Sequence, residues 1–275
     1  MVRGAPVGNG RHLQDLRGEL PWSRASAAHL GGSADNRQRC SGCGAAAVSA
    51  YAQARPGRAT MNHPPETTTL FLDIGGVLLT DGWSHQSRAR AAMHFNLELA
   101  EMEDRHHVIF ATYEEGKLTL GEYLDRVVFH RKRPFTRAQF RRFMFAQSQA
   151  YPEMIDLVAR LKVKHGLKIA VVSNEGRELN AYRIRAFKLD RLVDFFISSC
   201  FVHARKPDAS IFRLALDIAQ TPPRRVIYIE NTPMFVQIAE GLGIPSILHT
   251  EYGSTCAQLA SFGLQDGEGP GHEGT

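Results

Sequence analysis

Residues 68–76 read Thr-Thr-Leu-Phe-Leu-Asp-Ile-Gly-Gly. A short apolar, β-prone run that ends in a glycine turn is the pattern of a strand buried on both faces of a parallel sheet. Similar runs recur at 167–174 (LKIAVVSN), 193–199 (VDFFISS) and 225–231 (RVIYIEN), and 245–249 (PSILH) makes a fifth. Helical spacing separates them. Met154, Leu157, Val158 and Leu161 fall at i, i+3, i+4, i+7 between Pro152 and Gly166, and Ile211, Leu214, Ala215 and Ile218 repeat that spacing. Thr232-Pro233 opens a further helix, with proline at the first helical position. Strands alternating with helices predict an α/β fold, a Rossmann-like parallel sheet covered on both faces.

Between the first two strands, residues 82–150 read as all helix, with capping-box patterns at Thr119/Glu122 and Thr136/Gln139. That is too long for a simple crossover and predicts a small all-helical cap over the strand ends. The expected organisation is a core of 67–81 and 151–263, the cap at 82–150, a disordered leader at 1–66 and a disordered tail at 264–275.

The formal charge is +5. Eight arginines and three acids in residues 1–60 carry all of it, and the rest of the chain is neutral overall. Charge alone therefore gives no reason to expect a nucleic-acid partner. The leader also fits an organelle transit peptide, but the reading adopted takes Met61 as the true start. Four cysteines (Cys40, Cys43, Cys200, Cys256) are too few and too scattered for a disulfide framework, so a reducing cytosol is the expected compartment. The Cys40/Cys43 pair has no second pair or His cluster nearby to complete a zinc site. No apolar run approaches the roughly 18 residues of a membrane span.

Ligands of open α/β sheets bind outside the carboxyl ends of the strands. Four polar groups sit at such ends: Asp73 before Gly75-Gly76, Ser173-Asn174, Lys206-Pro207-Asp208, and Glu230-Asn231. Taken singly, each is an ordinary turn, cap or loop residue. In the order Asp, Ser, Lys, acid, over about residues 68–250, the chain resembles the haloacid dehalogenase (HAD) superfamily of hydrolases, in the subfamily with a small helical cap between the first and second motifs.

The resemblance implies that Asp73 attacks phosphorus to give an aspartyl-phosphate, which water hydrolyses. It implies that Ser173 and Asn174 contact the phosphoryl group and that Lys206 neutralises charge there. It implies Mg2+ held by Asp73, the Gly75 carbonyl and Glu230, since magnesium favours oxygen ligands with substrate phosphate. The substrate class is then a small phosphorylated metabolite and the enzyme a cytoplasmic one; the sequence does not fix the oligomeric state, and a homodimer is one option.

Two departures matter. Phosphatases of this family carry a second Asp two residues after the nucleophile as general acid; here that residue is Gly75. Such an acid contributes about 10² to 10⁴ in rate, so aryl and acyl phosphates are expected to turn over better than alkyl ones, and Gly75→Asp to raise the alkyl rate. Asp81 and His85 are the nearby residues able to replace it. Secondly, Glu230 stands where Asp is usual. Two rivals follow: a dehalogenase, suited by Gly75 and Asn231, with Arg88 or Arg105 cradling the halide, and a catalytically impaired phosphate-binding relative. The basic run 126–142 (Arg126, Arg131, Lys132, Arg133, Arg137, Arg141, Arg142), interleaved with Phe129, Phe135 and Phe140, reads as solvated faces of amphipathic helices.

Overall fold

The structure, a computed structural model, describes residues 66–266. The leader, the Cys40/Cys43 pair and residues 267–275 lie outside them. Five parallel strands form one sheet in the order β3-β2-β1-β4-β5: β1 (Thr69–Leu72), β2 (Lys168–Ser173), β3 (Phe195–Ser198), β4 (Val226–Glu230) and β5 (Ser246–Leu248). All five expected runs are strands. They are largely hydrophobic because helices cover both faces, and β1 and β4 are buried along their whole length. One face packs Leu70, Leu72, Ile169, Val171, Ile227 and Ile229 against Leu157, Val158 and Leu161 of α5 (Pro152–His165). The other packs Phe71, Val172 and Tyr228 against Ile211, Phe212 and Ala215 of α8 (Ser210–Ala219).

Gly166 ends α5 in the left-handed conformation that glycine adopts without strain. Thr232 is the N-cap of α9 (Pro233–Gly241), although its side chain makes no capping bond. Two helices lacked a sequence signature. Helix α6 (Arg177–Ala186) is polar along most of its length, and α10 (Tyr252–Ser261) follows β5. The packed core also reaches further than expected. Leu264 is buried in the core and Asp266 pairs with Arg160 at 2.9 Å, so 264–266 are packed rather than tail.

Residues between β1 and α5 form four helices: α1 (His85–Phe95), α2 (Leu99–Glu114), α3 (Leu120–Val127) and α4 (Arg137–Ala146). Both expected capping boxes are present, at Thr119/Glu122 and Thr136/Gln139. Capping boxes satisfy backbone donors that would otherwise end the helix unpaired. This insertion has its own core of Trp83, Met102, Tyr113, Tyr123, Phe140 and Met144, joined by Leu179 of α6. The two chain ends leading into it are bonded to each other. Thr80 N donates to Gln149 O (2.8 Å), and Tyr151 N donates to Leu78 O (2.9 Å).

The far end of α2 is fastened to the short helix α7 (Ser199–Val202) and the loop after it. Ser199 Oγ donates to Glu114 O (2.7 Å), and His203 Nδ1 to Glu115 O (2.7 Å). Gly116, at φ 69°, packs so closely that a Cβ there would lie 2.3 Å from Cys200 O.

Candidate active site

The register of the sheet assembles the site. Leu72 pairs with Ile229, so Asp73, just past the end of β1, comes beside Glu230, the last residue of β4. Asp73 lines a cavity of about 330 Å³ with Gly75, Asp81, Asn174, Glu175, Gly176 and Asn231 from the strand ends. The helical insertion and α6 supply Trp83, Arg88, Phe110, Tyr113, Glu114, Leu179 and Arg183.

Lys206 is 1% exposed, and its Nζ sits 3.1 Å from Asp73 Oδ1, 2.6 Å from Glu230 Oε2 and 3.0 Å from Tyr228 Oη. Burial opposes its charge, but Asp73 and Glu230 outweigh burial and hold its pKa above the usual lysine value. The contact to Asp73 is an ion pair without an aligned hydrogen bond, so Asp73 Oδ1 is left with no donor. Asn174 places Lys206: its amide accepts from Lys206 N (2.8 Å) and donates to Lys206 O (2.9 Å). That side chain is thereby committed to the loop, and the residue only lines the cavity. Ser173 is buried at the end of β2 and does not itself line the cavity.

Glu230 lies differently from the sequence expectation of an acid facing the metal. It is fully buried and does not line the cavity. Its Oε2 accepts from Lys206 and from the Tyr228 hydroxyl, and its Oε1 from Asn231 N (3.0 Å) and Thr232 N (2.9 Å). Tyr228 reaches it because strand residues two apart share a face. Asn231 takes the exposed place. Its amide bonds best with the nitrogen donating to Gly75 O (3.3 Å) and Glu230 Oε1 (2.8 Å), which turns its oxygen towards Asp81 Oδ1. Gly76 makes room for it: φ is 73°, and a Cβ there would lie 1.9 Å from the Asn231 side chain.

Burial and the neighbouring Asp73 raise the pKa of Asp81, against the pull of Arg183. Burial likewise pushes Glu175 up to about 7, although Arg183 pairs with it and works in the opposite direction. Burial raises Glu114 in spite of Arg205 at 2.6 Å. His85, the other substitute considered for the missing acid, is exposed beside Glu103 and does not line the cavity.

Arg88 does line the cavity, but it is bound twice to Glu103 (2.7 and 2.9 Å) and once to Trp83 O (2.7 Å). Arg105 pairs with Glu101 away from the cavity. None of the basic residues of 126–142 lines it; Arg131 and Arg137 pair with Glu101 and Asp125. Sequence reasoning passed over Glu114, Glu175, Arg183 and the aromatic wall. Only Glu175, adjoining Ser173-Asn174, carried a positional signal.

The oxygens that converge here suit a hard cation: the Asp73 carboxylate, the Gly75 carbonyl, and the Asn231 amide oxygen facing Asp81. Two facing oxygens need a proton or a cation between them. Among the described residues no three His, Cys, Asp or Glu side chains form a metal cluster by themselves, so backbone and amide oxygens would have to share the task. No helix among the described residues is long and apolar enough to cross a membrane.

Three comparisons with known proteins bear on this site. The chain is 27% identical over 92 residues to PpaX of Caldanaerobacter subterraneus, named as a pyrophosphatase, covering 34% of this chain and 41% of that protein. It is 29% identical over 87 residues to (S)-2-haloacid dehalogenase 4A of Burkholderia cepacia, covering 32% and 37%. The matches thus span well under half the length of these relatives. Among solved structures it is similar to a HAD family enzyme of Bacteroides thetaiotaomicron in complex with magnesium and inorganic phosphate. There the TM-score is 0.55 at 19% identity, covering 66% of this chain and 93% of that one. The family model for haloacid dehalogenase-like hydrolases matches residues 67–243, from the start of β1 past the end of α9. With the parallel sheet and the Asp73 cavity it encloses, the chain belongs to the haloacid dehalogenase-like hydrolase family.

Proposed function

We propose that this hydrolase is a magnesium-dependent phosphatase that acts through an aspartyl-phosphate at Asp73 on a small phosphate monoester. One observation carries the reading: the Asp73 carboxylate lines a cavity of about 330 Å³ at the end of the first strand and is ion-paired to a buried lysine. A dianionic phosphate beside that carboxylate needs positive charge. Lys206 supplies part of it, and the N-terminus of α6, entered through Glu175 and Gly176, faces the same cavity.

Asp73, the Gly75 carbonyl and the Asn231 amide oxygen would hold the magnesium, while Glu230 fixes Lys206 and the turn into α9. When bound, the metal supplies the remaining positive charge on the phosphoryl oxygens. Asp73 forms its bond to phosphorus as the bond to the leaving oxygen breaks. Asp81, beside Gly75, is placed to hand that oxygen a proton and to take one from the water that hydrolyses the aspartyl-phosphate. The helical insertion acts as the cap that closes the leaving-group side. The free thiols of Cys200 and Cys256 suit a reducing cytosol.

The test is phosphate release from a panel of monoesters, with magnesium and with chelator, beside halide release from a 2-haloacid. Phosphate release that vanishes in chelator and returns with magnesium supports the reading. Halide release that persists in chelator assigns the dehalogenase chemistry instead.

A further inference from the structure

The part of the cavity lined by the helical insertion has a chemistry of its own. Trp83, Phe110 and Tyr113 line it together with the carboxylates Glu114 and Glu175. Glu114 is 7% exposed, and only one of its oxygens is used: Oε2 accepts twice from Arg205 (3.1 and 2.6 Å), while Oε1 accepts from none of the described residues. The Tyr113 hydroxyl is fully buried and finds no hydrogen-bond partner among the described residues. Two guanidinium groups reach the same cavity, and both are committed. Arg88 is bound to Glu103 and Trp83 O, and Arg183 to Glu175 and Thr80 O.

An aromatic wall beside an open carboxylate oxygen, with no uncommitted cation among the described lining residues, selects for positive charge. An alkylamine is an ammonium at neutral pH. It gains from the π-faces of the rings and from a charge-assisted bond to a carboxylate. A second phosphate or a carboxylate on the substrate would meet Glu114 and Glu175 with nothing to pair with. A hydroxyl would find an acceptor but gain no charge term.

Resting on the phosphatase reading, we propose that the leaving group of the natural substrate carries an amine, bound as ammonium by Glu114 against Trp83, Phe110 and Tyr113. The reaction consumes one water: the ester P–O bond breaks, the leaving oxygen takes a proton, and the products are an amino alcohol and inorganic phosphate.

The test measures kcat/KM of the full chain, with magnesium, on matched short-chain phosphate monoesters ending in an amine, a hydroxyl or a carboxylate, with an aryl phosphate alongside. The amine is expected to exceed the hydroxyl by on the order of tenfold, with the carboxylate lowest. Glu114→Gln and, independently, Phe110→Leu should each pull the amine-to-hydroxyl ratio towards one, so the test survives if either variant fails to fold. If the aryl phosphate is hydrolysed but the amine shows no preference, this inference is overturned and the phosphatase reading stands. If no ester releases phosphate, both fall.

Discussion

The carboxylate of Asp81 stands beside the place where a side chain on Gly75 would begin: a Cβ at Gly75 would lie 3.4 Å from Asp81 Oδ1, an ordinary van der Waals contact. An acid six residues along the chain thus neighbours the position of the family's second aspartate. Asp81→Asn is expected to slow alkyl phosphates by about 10² to 10⁴ and aryl phosphates much less, because only the alkyl leaving oxygen needs protonation. Gly75→Asp alone would set two carboxylates in one space, so its gain should appear only in the Asp81→Asn background. The measurement is kcat on a matched alkyl and aryl pair; equal losses in Asp81→Asn would remove Asp81 from proton transfer.

Lys206 is enclosed with Asp73 and Glu230, so Lys206→Ala leaves buried carboxylates without their cation. The expected loss is about 3 to 5 kcal/mol in denaturant unfolding, together with loss of activity. Lys206→Met combined with Glu230→Gln should recover a substantial part of the stability and none of the activity. A double variant no more stable than Lys206→Ala would show that the pair is not what the fold depends on.

Asn231, rather than Glu230, faces Asp81 and Gly75. Replacing its neutral amide oxygen by a carboxylate adds charge at the site that magnesium would occupy. Asn231→Asp is therefore expected to lower the magnesium concentration for half-maximal phosphate release, on the order of tenfold. An unchanged magnesium requirement would place the metal elsewhere.

His106 is buried in the insertion, its Nδ1 2.8 Å from the Tyr123 hydroxyl. Burial, reinforced by Arg88 and opposed by Glu103, pushes its pKa down to about 3. The unfolded chain binds this proton near pH 6.5 and the folded one does not, so stability is full above about 6.5 and is lost as pH falls towards 3. By pH 5 the loss from this residue is about 2 kcal/mol. The gap in thermal midpoint between wild type and His106→Gln should accordingly narrow from pH 7.5 to pH 5. A gap that stays constant would show that His106 keeps an ordinary pKa.

The strands and the main helices were legible because burial on both faces forces continuous apolar runs, and because caps and glycine stops are local. Helix α6 was not, since it turns Asn180 and Arg183 inward and so breaks the apolar period. In the site, Asp73 could be read from its place at a strand end, and Lys206 from its place in the loop that follows the third strand and α7. The direction of the Glu230 side chain could not, because Tyr228 and Lys206 decide it, and Lys206 meets it only in the folded sheet. Glu114 and Trp83 reach the cavity from an insertion whose packing no local pattern encodes.

The insertion between β1 and α5 is moored along two separate lines, at its paired chain ends and where Glu114 and Glu115 meet Ser199 and His203. A body held on one axis can swing, whereas one held on two is braced. Glu114 and Tyr113 are therefore braced relative to Asp73 by bonds that involve no substrate atom. Discrimination then resembles a gauge of fixed bore, in which a molecule is accepted or refused by its dimensions and charge before any bond is made.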